Sequence, residues 1–174
     1  VVVESWGSRC WVNDRWELTV PLPGRHNLIN ALGAIACAEA LGKPISSCVE
    51  RLRSVPPLPG RLVRIRFNGC LVLDDTYNAN PASLKAALEV LSETSGLGRR
   101  IAVLGDMLEL GEQAEPLHRQ AGRWMKTAKV DLLVTVGRLA GALLVGAWES
   151  GFSRQNGRSF DTVEEAGDFL RGVL

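Results

Sequence analysis

The stretch IAVLGDMLELGEQAEPLHRQAGRWMKTAKVDLLVTV, residues 101–136, contains two continuous apolar runs separated by a helical pattern. Residues 101–104 and 132–136 predict buried strands, and residues 113–128 between them predict a helix. Alternation of strand and helix favours parallel pairing, because a helical crossover returns the chain to the start of the next strand. We therefore expect an α/β fold with a mainly parallel, doubly wound sheet.

Immediately upstream, the pattern indicates a hairpin followed by a helix. Residues 62–67 and 70–73 predict strands joined across Asn68-Gly69, a dipeptide typical of tight hairpin turns. The next helix is expected to begin at Pro81 with Asn80 as its N-cap.

Downstream, two more helices are predicted. Residues 139–150 form the first, and the last is expected to open where Thr162 and Glu165 have capping-box spacing. With a short strand expected near Ser159-Phe160 between them, these helices extend the α/β alternation.

Residues 1–59 have a different character. They contain short strand-like runs (1–3, 10–12 and 16–20) followed by two helices, 27–41 and 46–53, the second with a serine available as its cap. Pro56, Pro57, Pro59 and Gly60 then form a stiff connector of the kind that separates domains. We therefore expect a boundary between residues 59 and 60.

Composition excludes several classes of function. A formal net charge of +1 gives no electrostatic reason to bind nucleic acid, and the most apolar stretch is interrupted by Asp131 and Arg138, which argues against membrane insertion. The four cysteines form no CxxC pair, and with two histidines they make a dedicated metal site improbable. A reducing, cytoplasmic compartment and a monomer are expected.

A first polar cluster follows residue 73. Asp74 and Asp75 come directly after an apolar strand, where a carboxylate at the carboxyl edge of the sheet could accept hydrogen bonds from ribose hydroxyls. A simple loop leading into the helix cap at Asn80 is the alternative interpretation, but it leaves the paired carboxylates unexplained.

A second polar cluster, residues 105–111, follows the strand that ends at Leu104. Glycines at both ends suit a loop that turns tightly and lets its backbone approach a ligand. A plain connector into the next helix explains the same residues equally well. His118, on that helix, is expected to be an ordinary packed or solvent-facing histidine.

A third polar cluster precedes the connector. Asn27 and Asn30 lie three residues apart, so both amides share one helix face and could recognise an adenine edge. If Asn27 were only an N-cap, Asn30 would have no role. Arg61 is either a surface charge at a strand start or a guanidinium placed for a phosphate.

Four motifs in this order resemble one known family. PLPGRHNLINALGA, PLPGR, LDDTYNANPASLKAAL and AVLGDMLELGE with a following LH are similar to the Mur ligases, and their wording is closest to the branch that adds D-alanyl-D-alanine. The resemblance covers about residues 20–137. The DNPR-type loop of the branch that adds a diamino acid is missing.

The resemblance implies a domain assignment and a reaction. Residues 1–59 would be the C-terminal tail of a central ATP-binding domain, and residues 60–174 a Rossmann-like C-terminal domain, incomplete at its end. The implied enzyme uses ATP and Mg²⁺ to convert the carboxylate of UDP-N-acetylmuramoyl-tripeptide to an acyl phosphate, which D-alanyl-D-alanine attacks. No GxxxxGK[ST] loop is present, so the phosphate loop and metal ligands would lie upstream.

The resemblance also implies site residues. Asn27 and Asn30 match the paired asparagines near the adenine, Asp75 matches the ribose-binding aspartate, and Arg61 matches the catalytic arginine near the ATP phosphates. The residues that match the region facing the dipeptide are Tyr77, Asn78, Asn80, Asp106 and Glu109.

Two other classes of protein remain as alternatives. A response-regulator receiver domain would also place aspartates after two strands, but it needs a lysine after a late strand, and no lysine follows Lys129. A nicotinamide oxidoreductase would need a glycine fingerprint that the sequence lacks.

Overall fold

The first sheet of the molecule is antiparallel. The structure, a computed structural model, describes residues 2–4, 7–95 and 98–174. The sheet contains β1 (Val2–Glu4), β2 (Gly7–Val12) and β3 (Trp16–Val20) in that order. The strands expected over residues 10–12 and 16–20 are confirmed, whereas the one expected over residues 1–3 begins at Val1, outside the described residues.

Two helices pack on this sheet. Both predicted helices are confirmed as α1 (Arg25–Ala40) and α2 (Ile45–Leu52). The expected serine cap of α2 is wrong, because Ser46 lies inside the helix and Pro44 stands at the N-cap without a side-chain bond. The sheet and helices share a cluster of buried side chains: Cys10, Val12, Leu18, Val20, Leu28, Ala31, Ile35 and Val49.

The predicted hairpin is confirmed. β4 (Val63–Phe67) pairs antiparallel with β5 (Cys70–Asp74) across Asn68 and Gly69, whose φ angles are 47° and 79°. Both residue types tolerate this left-handed backbone, which is why the dipeptide turns the chain so tightly.

The place of this hairpin differs from the expectation. Among the described residues β5 pairs with β4 and with no strand of the parallel sheet, so the expectation that Asp75 follows a strand of that sheet is wrong. The hairpin contributes nothing to the clusters of buried apolar side chains, and Ile65, Phe67, Leu71 and Val72 are 41–63% exposed. The turn residues and the pairing of its two strands define this hairpin locally.

The second half of the chain has the predicted α/β architecture. Three parallel strands stand in the order β6 (Ile101–Gly105), β7 (Leu132–Val136) and β8 (Gly157–Phe160). The helices that alternate with them are α3 (Pro81–Glu93), α4 (Ala114–Gly122), α5 (Gly141–Glu149) and α6 (Val163–Arg171).

Successive residues of β7 face opposite helical layers, as strand geometry requires. Leu133 packs with side chains of α3, α4 and α5, whereas Leu132 and Val134 pack with Ala166 and the aromatic rings of α6 and β8. These three side chains of β7 are each at most 4% exposed. The sheet is therefore doubly wound, as the sequence predicted.

The predicted helix over residues 113–128 is too long. A short 3₁₀ turn, Gly111–Gln113, precedes α4, and beyond Gly122 the chain continues in tight turns. There the N–H groups of Arg123, Trp124 and Met125 bond three residues back, at 3.1–3.2 Å. These turns keep the apolar spacing that predicted a helix, and they bury Met125 and Ala128.

Two glycines allow α4 and α5 to approach each other closely. A methyl group on Gly122 would collide with the carbonyl of Leu143, and one on Gly146 would collide with the carbonyl of Arg119. At both points the backbone of one helix touches the other, so a larger residue has no room. None of the helices formed by the described residues is long and apolar enough to cross a lipid bilayer.

Candidate functional site

The connector between the two halves is fastened to the loop that follows β5. The Gly60 carbonyl accepts a hydrogen bond from the Tyr77 N–H at 3.1 Å, and the Leu62 N–H donates to the Asp75 carboxylate at 3.1 Å. Gly60 has φ 67°, and an added Cβ would stand 2.8 Å from the Tyr77 nitrogen. Glycine is required at this position. Residues 60–62 and residues 75–77 form one unit, which we call the junction.

Arg61 lies at the surface of this junction. Its guanidinium carbon stands 4.2 Å from the centroid of the Tyr77 ring, a cation–π contact that restricts the side chain. Within the described part of the chain no hydrogen bond from the guanidinium is found, so its planar set of N–H donors is available to bind an anion.

Asp75 is half-buried in the same junction. Burial raises the pKa of its carboxyl above the ordinary value, while the Leu62 N–H and the nearby charges of Arg61 and His26 lower it. Asp74 differs, since it is bonded locally to the N–H and hydroxyl of Thr76 at 3.2 and 2.7 Å. The two adjacent carboxylates therefore have different surroundings, and only Asp75 belongs to the junction.

His26 of α1 lies near Asp75 of the junction, and sequence reasoning missed it. Burial lowers the pKa of its imidazole, and the carboxylates of Asp75 and Glu89 oppose that effect. Its ring also packs against Gly24, where an added Cβ would stand 2.6 Å from the ring and 2.9 Å from Val90 of α3. The polar run before Asn27 was the only signal for it, since sequence alone does not bring α1 beside α3.

The two asparagines of α1 have unequal surroundings. Gly24, not Asn27, is the N-cap, so the alternative in which Asn27 only caps the helix is not supported. The Asn27 amide nitrogen donates to the Pro23 carbonyl at 2.7 Å, which fixes that end of the side chain. Asn30 is exposed on the helix surface.

The asparagines after Tyr77 make local hydrogen bonds. Asn80 caps α3 as predicted, accepting from the Ser83 N–H at 2.9 Å while the Ser83 hydroxyl accepts from the Asn80 N–H. The Asn78 side-chain oxygen accepts from the Ala79 N–H at 2.8 Å. Tyr77 itself is 70% exposed.

The loop of residues 106–110 is anchored in two directions. The Asp106 carboxylate accepts the N–H groups of Leu139 and Ala140, at 3.0 and 2.7 Å, just before α5 begins. The same carboxylate fills the space beside Gly137 (φ 109°), where a Cβ would lie 2.7 Å away. Asp106 thus has a structural role that its sequence position did not reveal.

The second anchor of this loop is His118, which is fully buried. The Met107 N–H donates to its Nε2 at 2.8 Å, and its Nδ1 lies 2.7 Å from the Ala114 carbonyl. Of the two ordinary cases expected from the sequence, packed or solvent-facing, the structure shows the packed one. Glu109 lies in the loop between Met107 and the start of α4. It is exposed and has a left-handed φ of 60°.

This α/β fold and its ordered motifs define a class of protein. A family model described as Mur ligase, glutamate ligase domain, matches residues 60–173, which is most of the chain. The chain belongs to the Mur ligase family.

Within that family, relatives of one name are similar to this chain. The UDP-N-acetylmuramoyl-tripeptide–D-alanyl-D-alanine ligase of Escherichia coli is 41% identical over 128 residues, 73% of this chain and 28% of the relative. The ligase of that name from Haemophilus influenzae is 35% identical over 155 residues, 88% of this chain and 32% of the relative. This chain thus spans a third or less of these relatives' length.

A solved structure gives the same result. The crystal structure of MurF from Acinetobacter baumannii superposes with a TM-score of 0.86 and 32% identity, over 99% of this chain and 37% of that one. The receiver-domain alternative is not supported. Asp74 ends a hairpin strand outside the parallel sheet, Asp75 follows it, and the Asp106 carboxylate accepts hydrogen bonds from two backbone N–H groups.

Proposed function

We propose that this chain is the C-terminal part of an ATP-dependent ligase that joins D-alanyl-D-alanine to UDP-N-acetylmuramoyl-tripeptide. The observation that carries the proposal is the identity of up to 41% with ligases of that name, together with the MurF superposition over nearly the whole chain. We further propose that the protein is a monomer and that it is cytoplasmic. A reducing compartment suits its four free cysteine thiols.

The domain division at residue 60 is part of this proposal. Residues 1–59 would be the tail of a central ATP-binding domain, and residues 60–174 the Rossmann-like C-terminal domain. The separate apolar clusters of the two halves support this division, as does the start of the family match at residue 60. Any pivot between the domains would lie before Gly60, because its carbonyl is bonded to Tyr77.

The junction has the chemistry needed for one side of a nucleotide site. Asn30 and Asn27 would face the adenine, Asp75 the ribose hydroxyls, and Arg61 the phosphates, where it would stabilise charge during phosphoryl transfer. Two observations support these roles. Arg61 is exposed beside Tyr77, and only one carboxylate oxygen of Asp75 accepts from the Leu62 N–H, which leaves the other oxygen for a ribose hydroxyl. When bound, ATP supplies the phosphoryl group that activates the tripeptide carboxylate.

The residues that the structure describes do not fit a metal site. Among the described residues no group of three or more histidine, cysteine, aspartate or glutamate side chains could hold an ion. We therefore assign the Mg²⁺ that accompanies ATP to ligands outside this chain and derive no step through it.

The dipeptide would meet the side chains of Tyr77, Asn78, Asn80 and Glu109. Tyr77 and Glu109 are the better candidates for direct contact, because both are exposed while Asn78 and Asn80 already bond to local backbone. Asp106 would contribute by shaping the loop, since its carboxylate is bonded to the residues before α5.

The proposal is tested by a ligation assay on the complete polypeptide that contains this chain. With ATP and Mg²⁺ we expect phosphate release that requires both UDP-N-acetylmuramoyl-tripeptide and D-alanyl-D-alanine. Free D-alanine is the matched control, since it offers an amine without the second residue. Equal phosphate release with D-alanine, or phosphate release that does not require the dipeptide, overturns the proposal.

A further inference from the structure

We propose that His118 is a positioning residue, which holds the loop of residues 106–110 so that Glu109 faces the incoming dipeptide. The inference rests on the proposed function, because only that function makes this loop a substrate contact. His118 itself is fully buried and reaches no substrate, so it acts through the backbone of Met107.

The hydrogen bonds of His118 determine which ring nitrogen carries the proton. The Met107 N–H can only donate, so Nε2 must be the acceptor and Nδ1 must carry the hydrogen. Nδ1 then donates to the Ala114 carbonyl one turn earlier in the same helix. The ring is therefore locked in one tautomer and orientation by a partner on each side.

This arrangement gives the loop an anchor on each neighbouring helix. Met107 is bonded to His118 of α4, and Asp106 is bonded to the residues that open α5. The Met107 side chain is also buried, at 1% exposed, whereas Leu108 directly after it is 66% exposed. The chain thus leaves the core at residue 108, with the preceding two residues fixed.

The backbone of Glu109 indicates why such anchoring is needed. A non-glycine residue with φ 60° is strained, and such conformations persist only where the surroundings impose them. Glu109 is also exposed, so burial of its side chain does not explain the strain. A carboxylate held outward in this way could bind the ammonium group of a free dipeptide.

The anchor is tested first on the full chain, without any assay of activity. His118→Leu keeps apolar volume but removes the acceptor, while His118→Gln can place an amide oxygen near the position of Nε2. We expect Met107 amide hydrogen exchange to rise roughly tenfold or more in the leucine variant, relative to Val134 in the central strand. The glutamine variant should restore most of that protection.

A nitrogen NMR spectrum of the His118 ring in the wild-type protein gives a test that does not depend on whether a variant folds. It should show a single tautomer with the proton on Nδ1. Undiminished Met107 protection in His118→Leu, or a proton on Nε2, overturns the inference. If the leucine variant fails to fold, the glutamine variant and the ring spectrum still decide.

The substrate link is tested in the complete enzyme. His118→Leu should raise the KM for D-alanyl-D-alanine about tenfold while the KM for ATP changes less than about twofold, and His118→Gln should reverse most of the effect. A faster-exchanging Met107 with an unchanged dipeptide KM overturns the role in substrate positioning but leaves the anchor intact. Absence of any dipeptide-dependent turnover in the wild type instead contradicts the proposed function.

Discussion

At the scale of single residues, Arg61 and Asp75 carry most of the proposed chemistry. For Arg61→Ala in the complete enzyme, we expect turnover to fall at least tenfold, because charge stabilisation at the phosphates is lost. Stability should drop by no more than about 1 kcal/mol, since the side chain is exposed and loses only its contact with the Tyr77 ring and a solvent-screened attraction to Asp75. Steady-state kinetics and urea unfolding measure the two effects.

A matched control for Arg61 exists in the turn between β2 and β3. Arg15 is also an exposed arginine over an aromatic ring, 4.8 Å from the Trp16 centroid, but it is not in the junction. Arg15→Ala should cost similar stability and leave turnover unchanged. Equal kinetic losses in both variants would favour the interpretation of Arg61 as a surface charge.

Asp75 combines nucleotide binding with support of the Leu62 backbone. Asp75→Ala should weaken ATP binding by roughly ten- to a hundredfold and also destabilise the fold by about 1–3 kcal/mol, because the buried Leu62 N–H loses its acceptor. Asp75→Asn keeps an acceptor, so it should restore stability but not the whole of the ATP affinity. Calorimetric titration and thermal unfolding separate the two roles.

The neighbouring carboxylate is the internal control for Asp75. Asp74 bonds only to Thr76 nearby, so Asp74→Ala should leave ATP affinity unchanged. The ribose assignment is falsified if Asp74→Ala weakens nucleotide binding while Asp75→Ala does not.

Asp106 is predicted to act on stability before it acts on substrate. Asp106→Ala removes the acceptor for two N–H groups before α5 and should cost about 0.5–2 kcal/mol, the usual loss at a helix start. Asp106→Asn retains the oxygen that accepts and should be much milder. Urea unfolding of both variants is the measurement, and an alanine variant as stable as the wild type would exclude this capping role.

At the scale of secondary-structure elements, the contact between α4 and α5 depends on glycine. In Gly146→Ala the new methyl group meets the Arg119 carbonyl, a backbone atom that cannot swing aside. We expect a loss of about 1–3 kcal/mol or more, measured by thermal or urea unfolding, because the helices must separate to admit the methyl group.

Gly33 is the matched control for this packing effect. It also lies inside a helix, α1, but an added Cβ meets nothing within 4 Å. Gly33→Ala should therefore stabilise the chain by up to about 1 kcal/mol, since alanine favours helix over glycine. Destabilisation of similar size in both variants would mean that helix packing is not the cause.

At the scale of the whole molecule, the chain has one side of a proposed active site. We expect the 174-residue chain alone to release no phosphate from ATP, because its sequence contains no phosphate-cradling loop and its described residues offer no metal cluster. A colorimetric phosphate assay with D-alanyl-D-alanine present makes the measurement. Phosphate release that depends on the dipeptide would contradict this expectation.

The sequence by itself determined the local structure of this protein. Apolar runs gave the parallel strands β6 and β7, Asn68-Gly69 gave the hairpin turn, and Asn80 and Thr162 gave the helix starts with their caps. Each of these features depends on residues within about four positions of one another, so composition and spacing contain the necessary information. The ordered motifs gave the family for the same reason, because they are read along the chain.

Only the tertiary structure decided which distant groups meet. The Asp106 carboxylate bonds to backbone 33 and 34 residues away, and Gly146 touches the backbone of Arg119 on another helix. The hairpin stayed outside the parallel sheet although its strand pattern resembles the others. Such contacts depend on how helices and strands pack in three dimensions, and packing is set by the shapes of many side chains together, which no short pattern in the sequence records.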